Sequence, residues 1–168
     1  TIYYSGAKLV VPFILISSLL ASTMSINIHN LLSAYRLERE AIIILQQVAT
    51  VNLIPIFIGT VLLVQSSLGL TKHYIKWMHY QRQETIEVYI IPIMFGLLFV
   101  GFLLYLYMTM AFYVTIYIVF HFVFQIDTYE YVSRLSNSIS TKIFIQSILN
   151  TLIYSTIASL SLGYYYYQ

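Results

Sequence analysis

Charged residues are absent from four long stretches of the chain. These uncharged stretches cover 9–35, 41–71, 88–126 and 143–168, and short charged clusters separate them. A helix needs about 20 apolar residues to cross the roughly 30 Å hydrocarbon core of a bilayer, and each stretch is long enough. Because lipid offers backbone N–H and C=O groups no partners, a spanning segment must satisfy them within itself, as a helix does. The pattern predicts an all-α, polytopic transmembrane protein.

The composition excludes several other classes of protein. Only 8% of the 168 residues are charged, whereas about 25% are charged in an ordinary soluble domain. The formal net charge is +2 without a basic run, so we expect no nucleic-acid partner. The sequence has no cysteine, which excludes disulfides and Cys-ligated metals. It also has no glycine-rich phosphate-binding motif and no nucleophile beside a base, so we expect no catalytic residues, no metal and no cofactor.

We expect residues 1–168 to form a single transmembrane domain. The third stretch is the ambiguous one, because its 39 residues would extend about 58 Å as one helix. Tyrosines on both sides of residues 108–110, and the distribution of Lys and Arg, favour two crossings there. However, no turn-forming residue lies at 108–110. We therefore favour four helices with a long third helix, and five remain the alternative. The four helices are expected at approximately 8–28, 42–70, 88–126 and 143–165.

A proline and several amides interrupt the second stretch. Pro55 lacks an N–H and lies mid-segment, so it should kink its helix around Asn52 and Gly59. We favour simple accommodation of this kink by neighbouring helices over a kink that shapes a site.

Amides are expensive to bury without partners, and we favour hydrogen bonds between helices over a polar cavity. The amides concerned are Gln46, Gln47, Asn52 and Gln65.

Small side chains recur every four residues along two of the predicted helices. Such residues let helices approach closely, and their hydroxyls can bond across the contact. We therefore predict two helix-packing faces, which would associate with helices of this chain or of partners. The alternative is that the hydroxyls only bond back to carbonyls of their own helix. The last helix carries Ser147, Thr151, Ser155, Ser159 and Gly163, and the first helix carries Ser17, Ala21 and Ser25.

A ladder of polar residues at four-residue spacing lies in the third stretch. It consists of Tyr113, Tyr117, His121 and Gln125. An ionisable residue inside a membrane segment is a functional candidate, and His121 could serve a proton relay, a quinone or a haem. A haem with two histidine ligands needs a second buried histidine, whereas the other three are expected in polar connectors. We therefore favour a His121 near the interface that bonds to a neighbouring carbonyl. The other histidines are His29, His73 and His79.

The residue usage is skewed towards Ile, Leu, Tyr and Phe, with 17 Tyr, only 6 Gly and 3 Pro. This usage is typical of translation from A+T-rich codons. Over the whole chain the composition resembles the divergent membrane proteins encoded in the mitochondrial genomes of protists, notably ciliates. The resemblance implies a multi-pass protein of the mitochondrial inner membrane. It also implies a component of an oxidative phosphorylation complex.

From this resemblance we expect a structural, non-catalytic subunit of a respiratory-chain complex that supports electron transport by helix packing. NADH:ubiquinone oxidoreductase is the first choice and cytochrome c oxidase the second. Its partners would be other membrane subunits of a large hetero-oligomeric complex and membrane lipids, including cardiolipin. The alternatives are a membrane subunit of the mitochondrial ATP synthase and an independent channel or transporter. The shortage of buried charged groups speaks against the transporter.

Overall fold

The chain folds into helices. The computed structural model describes residues 8–37, 40–64, 88, 91–138 and 141–167, and no strand occurs among them. The predicted all-α class is confirmed. The helices are α1 (Lys8–Ser33), α2 (Ala41–Val64), α3 (Ile91–Phe122), α4 (Thr128–Ser138) and α5 (Thr141–Tyr167).

Four of these helices, α1, α2, α3 and α5, are long and apolar enough to cross a membrane. The chain is therefore a multi-pass membrane protein. The third stretch forms one helix of 32 residues, which at 1.5 Å per residue is about 48 Å long. Met108 lies in its middle and is buried, so the predicted long third helix is confirmed and no turn divides it. The shorter α4 follows α3 and lies outside the spanning helices.

Helix α3 is the centre of the bundle. It is apolar on all sides, which is typical of a helix with neighbours around it rather than on one face. Helix α1 packs along it, and the Ser17 hydroxyl donates a hydrogen bond of 2.8 Å to the Met108 carbonyl. Helix α5 packs against both α3 and α2. The core therefore forms where α1, α2 and α5 converge on α3.

The helix ends differ from the expected ones in places. α1 continues to Ser33, so His29 lies within a spanning helix rather than in a polar connector. α3 ends at Phe122, four residues before the expected end at 126. The expected continuation of the second helix over 65–70, the start of the third at 89–90, and both His73 and His79 lie outside the described residues.

Candidate functional site

Helix α2 is interrupted by a π-helical stretch, Gln46–Leu53, which we call the π segment. In a π-helix the N–H bonds to the carbonyl five residues earlier, and the Ile54 N–H accordingly donates to the Ala49 carbonyl. Such wide turns are rare and often occur at functional sites. Pro55 follows the segment after one residue, Ile54. A proline has no N–H and cannot donate the next backbone hydrogen bond of a helix. The winding of α2 accordingly changes just before Pro55.

Asn150 of α5 supplies the hydrogen bond that Pro55 cannot. In an α-helix the N–H of residue 55 would bond to the Val51 carbonyl. The Asn150 side-chain amide instead donates to that carbonyl over 2.8 Å. Sequence reasoning did not identify Asn150. The available signal was the combination of a mid-helix proline with the only amide among the Ser and Thr residues of 147–159.

Two further carbonyls of the π segment accept hydrogen bonds from side chains of α2 itself. The Thr50 hydroxyl donates to the Gln46 carbonyl over 2.6 Å. The Asn52 side-chain amide donates to the Gln47 carbonyl over 3.2 Å. Side chains thus compensate for the backbone bonds that the altered winding rearranges.

The amides of α2 lie on opposite sides of the helix. Gln46 is buried, its side chain interacts with the Tyr113 hydroxyl, and its Oε1 has no hydrogen-bond partner among the described residues. Gln47 and Asn52 are exposed on the outer side of the bundle. Gln65 lies outside the described residues. Gln46 therefore makes the kind of contact between helices that we expected of these amides, and Asn150 makes a further one that we did not expect.

Close approach between α5 and its two neighbours depends on glycines. A Cβ added to Gly59 of α2 would lie 2.8 Å from the Tyr154 Cβ of α5. A Cβ added to Gly101 of α3 would fall against the Ser155 hydroxyl. Contacts this short leave no room for a methyl group. Both glycines therefore set the distance at which α5 packs.

The predicted packing face of α5 lies inside the bundle. Its four Ser and Thr side chains are each at most 2% exposed. Their hydroxyls do not cross to other helices in the way we expected. Those of Ser147, Thr151 and Ser159 donate to carbonyls four residues earlier, and Ser155 Oγ has no partner among the described residues. For Gly163 only the helical backbone is described.

The predicted face of α1 is buried as well. Ser17, Ala21 and Ser25 are each at most 1% exposed. Ser17 makes the cross-helix bond to α3 described above, whereas the Ser25 hydroxyl donates to the Ala21 carbonyl of its own helix. Within both faces it is therefore small size, more than hydroxyl bonding, that brings the helices together.

The polar ladder of α3 contacts α4 and the loop before it. Tyr117 Oη lies 3.1 Å from Thr128 Oγ1, and the Tyr131 hydroxyl donates to the Tyr113 carbonyl over 3.4 Å. Burial, together with neighbouring tyrosines, raises the pKa of Tyr131 to about 12, so this phenol keeps its proton. Gln125 does not belong to the ladder, because α3 has ended and its backbone is left-handed, with φ 53°.

His121 lies in the last turn of α3 and contacts the residues that follow the helix. Its Nδ1 lies 3.2 Å from the Ile126 carbonyl, and its ring stacks on Tyr117 with an interplanar angle of 6°. This geometry is that of a histidine bonded to a neighbouring carbonyl. His29 stacks on Phe124 with 3.7 Å between ring centroids. Both histidines thus pack among aromatic rings at the same end of the bundle.

Comparison with known protein families shows which family the chain belongs to. The family model described as Permease MlaE matches residues 1–168. The chain belongs to the MlaE permease family. No curated protein and no solved structure matches it significantly.

Membership in the MlaE family overturns the expected function. The chain is not a subunit of a respiratory complex, so the resemblance to respiratory and ATP synthase subunits was misleading. The expected roles in electron transport and oxidative phosphorylation, and the expected partner subunits, were wrong as well. A permease fits the transporter alternative. The error has a physical cause, because A+T-rich codons bias the residue usage of any membrane protein whatever its role.

We propose that the packing face of α5 holds the bundle together, and one pair of variants tests this. Ser159→Leu places a large side chain in a fully buried position and should destabilise the fold by about 1–3 kcal/mol. Ser161→Leu is the matched control, because Ser161 is exposed two residues away. Unfolding in detergent and SDS mixtures, followed by circular dichroism, measures both. Equal stability of the two variants would contradict a packing role.

Proposed function

We propose that this chain is the membrane-spanning subunit of a lipid transporter and that the π segment of α2 forms part of its transport path. The observation that carries this proposal is irregular backbone with exposed amides inside a spanning helix of a permease. Irregular backbone at membrane depth is tolerated only where protein buries it or where it lines a polar cavity. Discontinuous helices form the substrate sites of many transporters.

The exposed amides of the π segment support this proposal. Gln47 and Asn52 face outward from the bundle. The Asn52 amide nitrogen donates to the Gln47 carbonyl, but hydrocarbon would leave the Gln47 amide and the Asn52 side-chain oxygen without partners. A substrate headgroup or a facing subunit would provide those partners. On the inner side Gln46 and Thr50 are buried. The π segment therefore has one side fixed by the core and one side available for polar contacts.

The outer surface of α2 suits an amphiphile. After Asn52 the exposed side chains of α2 are mainly apolar: Leu53, Ile56, Thr60, Leu63 and Val64. Two exposed amides with Val48 between them, followed by this mainly apolar surface, match a lipid headgroup and its acyl chains. Such a substrate needs few charged groups in the protein, so the shortage of buried charges does not argue against transport.

The energy for transport would come from another chain. The sequence contains no Gly-rich loop followed by Lys and Ser or Thr, which is the motif that holds the phosphates of ATP. We therefore propose an ATPase subunit and a substrate-binding protein as partners. We also propose that residues 1–168 act as one transmembrane domain, since α1, α4 and α5 all pack on α3.

Removal of the exposed amides tests the transport path. The double variant Gln47→Leu and Asn52→Leu should lower lipid transport about tenfold, because hydrogen bonds to charged groups contribute about 1.5–3 kcal/mol. Ile56→Leu is the control on the same outer side and should change little. The measurement is ATP-dependent movement of a fluorescent phospholipid in liposomes that contain the purified complex. Unchanged transport in the double variant would refute the proposed path.

We also propose the mitochondrial inner membrane as the location. The support is the residue usage, with 17 Tyr and only 6 Gly, which is typical of proteins encoded in A+T-rich mitochondrial genomes. Peptides of the chain should be enriched in the carbonate-resistant membrane fraction of purified mitochondria, as measured by mass spectrometry. Enrichment in another membrane fraction would refute this location.

A further inference from the structure

We infer that Asn150 is a positioning residue that holds the π segment of α2 in its observed winding. Its side-chain amide replaces the backbone N–H that Pro55 lacks, and it does so from a different helix. The consequence for transport rests on the proposed function, because the π segment carries the exposed amides Gln47 and Asn52. The structural part of the inference does not depend on that function.

The donors to the π segment differ in where they come from. Thr50 and Asn52 belong to the segment itself, so their bonds can persist whatever α5 does. The bond to the Val51 carbonyl comes from α5 and exists only while α2 and α5 stay in register. This bond therefore links the winding of α2 to the position of α5.

The neighbouring contacts fix that register. Asn150 lies one turn before Tyr154, whose Cβ meets the backbone of α2 at Gly59. The close approach at Gly59 brings α5 near enough for a short side chain to reach Val51. Thr151, the next residue, cannot substitute for Asn150, because its hydroxyl donates to the Ser147 carbonyl.

A change of winding would reorient the exposed amides. A π turn accommodates one more residue than an α turn, and each residue of an α-helix turns by about 100°. Conversion of the π segment to α-helix would therefore rotate residues 41–45 by about 100° relative to the part of α2 after Pro55. Gln47 and Asn52 would then no longer face outward in their present directions. Asn150 opposes this conversion by holding the Val51 carbonyl.

A double-mutant cycle tests the inference. Asn150→Leu removes the donor and should speed backbone hydrogen–deuterium exchange over residues 46–64 about tenfold, because the Val51 carbonyl is left without a partner. Pro55→Ala restores an N–H for that carbonyl. In the Pro55→Ala background, Asn150→Leu should therefore have little further effect. The control is Gln146→Leu, which removes an exposed amide one turn earlier on α5 and should not alter the exchange.

The measurement uses mass spectrometry of the full chain in lipid nanodiscs. Equal exchange in Asn150→Leu and Gln146→Leu would overturn the inference, as would a tenfold effect of Asn150→Leu that persists beside Pro55→Ala. If Asn150→Leu does not fold, the double variant should still fold, because α2 regains its own bond. Failure of both would also overturn the inference.

Lipid transport by the same variants separates this inference from the proposed function. Asn150→Leu should reduce transport about as much as removal of Gln47 and Asn52, whereas Gln146→Leu should not. Exchange as expected with undiminished transport would support the positioning role of Asn150. The same result would refute the proposed transport path.

Discussion

The hydrogen bond from Asn150 to the Val51 carbonyl is the interaction on which the rest of the structure depends. Inside a bilayer no water is available, so every backbone carbonyl needs a donor from the protein. Pro55 removes one donor from the middle of α2, and α5 provides the replacement. The proline thus makes the two helices depend on each other. Gly59 permits the short distance between them, since any larger residue would collide with Tyr154.

The other helices pack around α3 through small side chains rather than through charged ones. Gly101 accommodates Ser155 of α5, and Ser17 of α1 bonds to the Met108 carbonyl. Apolar burial is a weak driving force between helices in lipid, so close packing of small residues must supply the association. The tyrosines of α3 have a different role, because they hold α4 through Thr128 and Tyr131. Such a bundle buries Gln46 and leaves Gln47 and Asn52 of α2 on its outer side.

The spacing of charges was sufficient to predict the fold class. The distribution of Lys and Arg favoured five crossings, and it was the lack of turn-forming residues at 108–110 that favoured the four spanning helices found among the described residues. Periodic small residues such as Ser155 also indicated which side of α5 would be buried. The π segment could not be predicted, because it depends on a donor that lies 99 residues from Val51 in the chain. Gln125 does not lie on the predicted ladder because α3 ends at Phe122. The polar character of Gln125 does not indicate where the helix ends. The function was misjudged because composition reports the codons of a genome, whereas the family signature is spread over residues 1–168.

The most direct test of this account is the infrared frequency of the Val51 carbonyl. A ¹³C=¹⁸O label at this single carbonyl separates its amide I band from those of the other residues. The account predicts a lowered frequency, as for a strongly hydrogen-bonded carbonyl, that rises when Asn150 is replaced by Leu and stays unchanged when Gln146 is replaced. A frequency that does not respond to the loss of Asn150 would show that Val51 has another donor and would contradict the account.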